Sequence, residues 1–218
     1  MIRIAVADYG AGNLVSIARA LEVVGAEPVL VRDAEALRGT DALIVPGVGA
    51  AAPAMERLRR RALVEPIRTW IADGRPYLGI CLGLQLLFAG SDEDGAATLG
   101  ILGGRTIKLA DAPTLPHIGW NTVEVSTEAP LFSGIASGTA FYFVHSYVAA
   151  PDDRTTVIAQ AEHGSRFPAA IARDNLLGVQ FHPERSGVDG LRLLANFAAI
   201  AAGTPRAGTS RTAAAVLA

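Results

Sequence analysis

The chain has one cysteine, Cys81, among its 218 residues. Internal disulfides are therefore excluded, and any sulfur chemistry falls on a single thiol. Charge is also scarce: 18% of residues are charged, and 19 basic side chains stand against 21 acidic ones. No basic run emerges from that balance, so no nucleic-acid partner is expected. No apolar stretch reaches the length of a bilayer span. The opening MIRIAVADYG reads as a first strand rather than a signal peptide. Together these absences predict a soluble cytoplasmic protein with no membrane contact; separately, no metal or other cofactor is expected.

What remains is apolar. Half of the residues are hydrophobic, enough for one large α/β domain with a substantial core. Strands are expected at Ile2–Ala7, Pro28–Val31, Ala42–Val45 and Tyr77–Ile80. Between them fall helices: one capped by Asn13 and ending at Gly25, then Met55–Leu63 and Pro66–Ala72, with Leu82–Phe88 after the last strand. This alternation predicts a parallel sheet covered on both faces. The second half is richer in strand-like runs, at Thr106–Leu109, Thr122–Val125, Phe141–Val144, Thr156–Ala159 and Leu177–Phe181. A helix over Val188–Ala201 closes the fold. Ser91–Gly95 reads as a polar loop. The domain is expected to span 1–202, and residues 203–218 read as a flexible tail of small residues.

Cys81 lies between Gly79 and Gly83, where a strand gives way to a helix. Glycines at that spacing permit a sharp turn that presents its central side chain. A buried, inert cysteine is the ordinary alternative, but the glycine pair and the strand-to-helix position favour a nucleophile. His182-Pro-Glu184 supplies a base with a carboxylate two residues on. In an extended segment those two side chains project to the same side, so Glu184 can orient the imidazole. A helix starting at Leu82 would add a favourable dipole for a thiolate.

Two further features fit acyl transfer. Pro46-Gly-Val-Gly49 follows a strand, and the N–H groups of Gly47, Val48 and Gly49 are candidate oxyanion donors, although an ordinary β–α turn has the same composition. Gln85 lies one helical turn after Cys81 and can reach substrate from there, although a glutamine on a helix surface is equally common. The glycine-rich Asp8–Asn13 turn has neither the lysine of a phosphate loop nor a dinucleotide fingerprint.

With these residues the chain resembles the triad-type, class I glutamine amidotransferases and, within them, glutaminase subunits of imidazole glycerol phosphate synthases. The resemblance rests on Asp8-Tyr-Gly-Ala-Gly-Asn-Leu14, Val45-Pro-Gly-Val-Gly49, Gly79-Ile-Cys-Leu-Gly-Leu-Gln85, Pro116-His-Ile-Gly-Trp-Asn121, Tyr142-Phe-Val-His-Ser-Tyr147 and Gln180-Phe-His-Pro-Glu184. It implies a flavodoxin-like fold and a catalytic triad of Cys81, His182 and Glu184 acting on L-glutamine. Gly47, Val48 and Gly49 would line the oxyanion site, and Gln85 would hold substrate. His145, Ser146 and Tyr147 would border the pocket. It also implies a heterodimer with a (β/α)8-barrel cyclase that takes up the ammonia, with His117 and Trp120 near the contact. Trp120 as a core aromatic is the alternative from sequence. Two departures stand out: Ala50–Ala52 where the family usually has an aromatic, and Arg185 where lysine is common.

Other functions remain to be separated. An amidotransferase subunit serving another pathway would share the triad. A partner-free thiol hydrolase would share the nucleophile but has no need of the Pro46–Gly49 turn and Gln85 together. A non-catalytic binding module would be expected to have lost a triad residue.

Overall fold

The computed structural model describes residues 1–126 and 129–203. The tail expected over 203–218 lies outside the described residues from position 204 onward. The first half runs β1 (Arg3–Ala7), α1 (Leu14–Val23), β2 (Glu27–Val31), β3 (Ala42–Val45), α2 (Ala51–Arg60), α3 (Val64–Ala72), β4 (Tyr77–Ile80) and α4 (Leu82–Gln85). The second half adds β5 (Gly104–Lys108), β6 (His117–Val125), β7 (Thr139–His145), β8 (Tyr147–Pro151), β9 (Val157–His163), β10 (Ser165–Arg173), β11 (Leu176–Val179) and α5 (Gly187–Gly203).

A nine-stranded sheet has the order β2-β1-β3-β4-β11-β10-β9-β6-β7, and β5 pairs with β8 in a second, two-stranded sheet. From β2 to β11 the strands are parallel. From β11 to β7 they are antiparallel. β1, β3, β4 and β11 are almost wholly buried and apolar, as strands covered on both faces must be. Alternate residues serve opposite cores. Ile4, Val6, Ile44 and Leu78 pack on one face with α1 and α5, while Ala5, Leu43, Val45 and Tyr77 pack on the other with α2 and α3. The carboxyl ends of β1, β3, β4 and β11 are therefore side by side, and all the chemical motifs of the first half emerge there.

Several expectations need correction. The helix after Cys81 is a single turn, Leu82–Gln85, rather than Leu82–Phe88. Leu82, Leu84, Leu86, Leu87 and Phe88 are all buried, so the segment has no solvent face and bends to fill the core. Its dipole is correspondingly slight. α2 begins at Ala51, four residues before the expected start, because Pro53 sits in the first turn, where a missing N–H costs nothing. No side chain of its own caps α2; Asp94, from the Ser91–Gly95 loop, accepts the Ala52 N–H at 2.6 Å. β8 and β10 have no counterpart among the expected strands. Pro168 argues against a strand in sequence, and the structure accommodates it with register shifts between Pro168 and Ile171.

Candidate active site

β3 and β4 lie side by side, as do β4 and β11, with Val179 opposite Ile80. The next residue of each chain segment borders the candidate site: Pro46 after β3, Cys81 after β4 and Gln180 after β11. Cys81 donates its backbone N–H to Val179 O at 2.8 Å, which ties the turn to β11. Its φ of 53° lies in the left-handed region, an uncommon conformation for a side chain with a Cβ. Such strain costs on the order of 1–3 kcal/mol and persists only where surrounding packing enforces it. Glycines provide that packing. A Cβ on Gly79 would stand 2.5 Å from Gly83 O, one on Gly178 would stand 2.6 Å from a Leu84 methyl, and one on Gly83 would overlap the Val45 carbonyl. Without those side chains α4 sits directly on the sheet and holds the turn closed.

Glu184 meets the His182 ring by a route other than the extended one expected. His182 itself is extended, but Pro183–Arg185 form one 3-10 turn, and the turn brings Glu184 back under the ring. Nδ1 of His182 pairs with Oε1 of Glu184 at 2.9 Å, and the Glu184 side chain is only 1% exposed. Ser186 fixes the turn: its hydroxyl donates to His182 O at 2.7 Å and accepts the Tyr142 N–H at 3.0 Å, while His182 donates its backbone N–H to Tyr142 O. Burial opposes charge on the ring, but the Cys81 sulfur and then Glu184 outweigh it and raise the imidazole to about 10. Nε2, on the Cys81 side, is close enough to feel that sulfur yet makes no hydrogen bond of regular geometry.

Around the sulfur, Gln180 Nε2 approaches to 3.5 Å and the Val144 carbonyl lies at 3.9 Å. Gln85 is buried, and its Nε2 donates to Tyr147 O at 2.8 Å and to Gln180 Oε1 at 3.1 Å. Both of its N–H bonds are thus committed inside the protein. Ser146 separates β7 from β8 and so bends the chain from one sheet into the other; this bend delivers the Val144 and Tyr147 carbonyls to the site. Ser146 O accepts the Leu109 N–H.

The Pro46–Gly49 turn is held from below. The buried Tyr9 hydroxyl donates to Pro46 O at 2.6 Å, and a Cβ on Gly47 would meet that hydroxyl at 2.5 Å. Gly49 has φ +87°, and a Cβ on Gly12 would come within 3.1 Å of the Pro46 ring. Among the described residues, the N–H groups of Gly47, Val48 and Gly49 donate to no acceptor. The Asp8–Asn13 motif is therefore a cradle for this turn: Tyr9 and Gly12 support Pro46, and Arg32 anchors Asp8 at 2.6 Å. Burial, and then charge at Cys81, raise the Tyr9 phenol well above its ordinary range, so it stays a donor. Tyr9→Phe is expected to strand the Pro46 carbonyl, lower stability by about 1–3 kcal/mol and slow turnover about tenfold by loosening the turn. Chemical denaturation and steady-state kinetics will measure the two.

His117 and His145 face each other across β6 and β7. His117 is buried, whereas Trp120 on the same strand is 58% exposed. Burial, reinforced by His163 stacked on it, lowers His117 to about 4; burial and then His117 lower His145 to about 3. Both rings are neutral in the folded protein at pH 6.5 and protonate in the unfolded chain. Their contribution to stability is complete above pH 6.5 and is lost as pH falls toward 4 and below. His145→Gln is expected to flatten the pH dependence of the urea midpoint between pH 6.5 and 4; an unchanged slope would refute it.

The sequence assigns no role to three residues of the site, Tyr9, Gln180 and Ser186, although the first two fall inside motifs that carry the resemblance. Gln180 carries the clearest available signal, as the one amide in a buried apolar strand end.

The family model for glutamine amidotransferase class-I matches residues 5–201. The chain belongs to this family. The amidotransferase is 47% identical over 199 residues to imidazole glycerol phosphate synthase subunit HisH of Synechococcus elongatus, covering 89% of this chain and 92% of the relative. It is 46% identical to the HisH subunit of Symbiobacterium thermophilum, covering 90% and 93%. Among solved structures it resembles a putative GMP synthase subunit from Thermoplasma acidophilum, with TM-score 0.70, 24% identity and coverage of 93% and 94%. PurLQS from Thermotoga maritima matches with TM-score 0.72, 21% identity and coverage of 91% and 98%. These last two likenesses concern the fold.

Proposed function

We propose that the amidotransferase is the glutaminase subunit of an imidazole glycerol phosphate synthase. Cys81 attacks the side-chain amide of L-glutamine, and His182 takes the thiol proton and returns it to the departing nitrogen. The products of that step are a thioester and ammonia; water, activated by the same ring, then releases glutamate. Glu184 holds the imidazole in one tautomer and stabilises its charge. The N–H groups of Gly47, Val48 and Gly49 receive the negative charge that develops on the carbonyl oxygen. Gln85 contacts substrate through Oε1, beside a wall formed by His145, Ser146 and Tyr147. The reaction requires no cofactor. The observation that carries this reading is the strained thiol at Cys81 beside the buried His182–Glu184 pair, in a chain whose HisH relatives align over nearly their whole length.

The ammonia passes to a (β/α)8-barrel cyclase, since in water it would be mostly the non-nucleophilic ammonium ion. The cyclase uses it to form imidazole glycerol phosphate and an aminoimidazole carboxamide ribotide in histidine synthesis, a cytoplasmic process. A surface around β6 suits such a partner. Ile118 and Trp120 are exposed while His117 turns inward, the reverse of the usual polarity of a strand. Trp120 meets Tyr142 edge-on, and the Arg185 guanidinium lies 4.1 Å from the Tyr142 ring centre. Arginine stacks there as a lysine cannot. Mixing the amidotransferase with a barrel cyclase and its nucleotide should release glutamate from glutamine, with Trp120→Ala weakening the complex. No stable complex, or full glutaminase activity without the cyclase, would sink the partner-dependent reading.

A further inference from the structure

We propose that Gln180 acts directly on the nucleophile, donating its carboxamide N–H to Cys81 Sγ and thereby stabilising the sulfur in its anionic form. The proposal deepens the glutaminase reading and rests on it. Gln180 is 0% exposed, and its Nε2 stands 3.5 Å from Sγ. The distance alone does not decide whether nitrogen or oxygen faces the sulfur, because the two ends of an amide have the same shape. The surrounding hydrogen bonds do decide it.

The Tyr147 carbonyl can only accept. The Gln85 atom 2.8 Å from it must therefore be nitrogen, and the same nitrogen lies 3.1 Å from Gln180. Gln180 must turn its oxygen to Gln85, which leaves its nitrogen toward Cys81. A second branch ends on the same carbonyl. His145 Nδ1 lies 3.1 Å from Tyr147 O and so carries a proton, leaving Nε2 as the acceptor. His117 Nδ1 donates to that Nε2 at 3.0 Å, and Asn121 Nδ2 lies 3.3 Å from His117 Nε2 while donating to Glu162 O. Each group has one permitted direction, and Tyr147 O is where the two branches meet. Cys81 and Gln180 also occupy matching positions just past β4 and β11, so the sheet register itself brings them together. A donor at sulfur favours the thiolate over the thiol, and it does so before glutamine binds.

The test measures the rate at which iodoacetamide alkylates Cys81 at fixed neutral pH, alongside glutaminase kcat and KM of the full chain with its cyclase. Gln180→Met keeps the volume and removes the donor. Gln180→Glu keeps the shape and the oxygen for Gln85 but turns an acceptor on the sulfur. Alkylation and kcat should each fall about 10- to 100-fold in Gln180→Met and further in Gln180→Glu, with KM for glutamine nearly unchanged. Should the methionine variant fail to fold, the glutamate variant carries the comparison. Alkylation at the wild-type rate in a folded variant overturns the proposal, as does a raised KM with kcat intact, which would make Gln180 a substrate contact. If the wild-type complex releases no glutamate, the glutaminase reading fails instead, and the alkylation rates still test Gln180.

Discussion

Replacing Cys81 by alanine is expected to lower glutamine hydrolysis by the full enzyme with its cyclase by about 10⁴-fold or more. The chain has no other thiol to substitute, and the donors proposed on the Pro46–Gly49 turn would have nothing to stabilise until a nucleophile has attacked. Glu184→Gln should cost less, because it preserves a hydrogen-bonding partner for His182 Nδ1 and removes mainly the charge. The same position offers a second measurement that separates chemistry from strain. Cys81 has φ 53°, which glycine adopts freely and alanine does not. Cys81→Gly should therefore be more stable than Cys81→Ala by about 1 kcal/mol, although neither hydrolyses glutamine. Equal denaturation midpoints would mean that the turn stores no strain. Hydrolysis within tenfold of wild type in either variant would remove the thiol mechanism altogether.

How much of this is legible in the sequence depends on whether a signal is local. Cys81 between two glycines, and His182 two residues before Glu184, are short-range patterns, and their spacing reflects turns that a few residues determine. The turn at Pro183 departs from the extended path expected there: proline rules out a long helix but admits a single 3-10 turn, and that turn is what aims Glu184. Gln85 is buried rather than on a helix surface, and its partners, Tyr147 at the start of β8 and Gln180 just past β11, depend on sheet register. β6 shows the limit most clearly. Its alternation puts Ile118 and Trp120 on the apolar face, which by the usual rule is the buried one. In the structure His117 is inside and Trp120 outside, because His145 opposite and Asn121 nearby satisfy the imidazole. A buried polar residue needs specific partners, and periodicity carries no information about those.

Gly83→Ala is expected to be among the most damaging single-methyl changes at the described residues. The added carbon would overlap the Val45 carbonyl, a backbone atom at the end of β3 that cannot rotate aside. Relief requires α4 to lift from the sheet. That movement would break the Tyr77 hydroxyl bond to Gly83 O, now 3.0 Å, and would move Leu84 off Gly178. The expected loss is about 3 kcal/mol or more, at the top of the range for overpacked cores. Activity should fall as well, since α4 both closes the Cys81 turn and carries Gln85. Gly74→Ala provides the comparison. Gly74 has a positive φ of 71° but nothing within 4 Å of a new Cβ, so the change adds conformational strain alone, about 1 kcal/mol. It should leave glutamine hydrolysis intact. The difference between the two denaturation midpoints isolates the steric part. If Gly83→Ala were no worse than Gly74→Ala, the close approach of α4 to β3 would not be what holds the nucleophile in place.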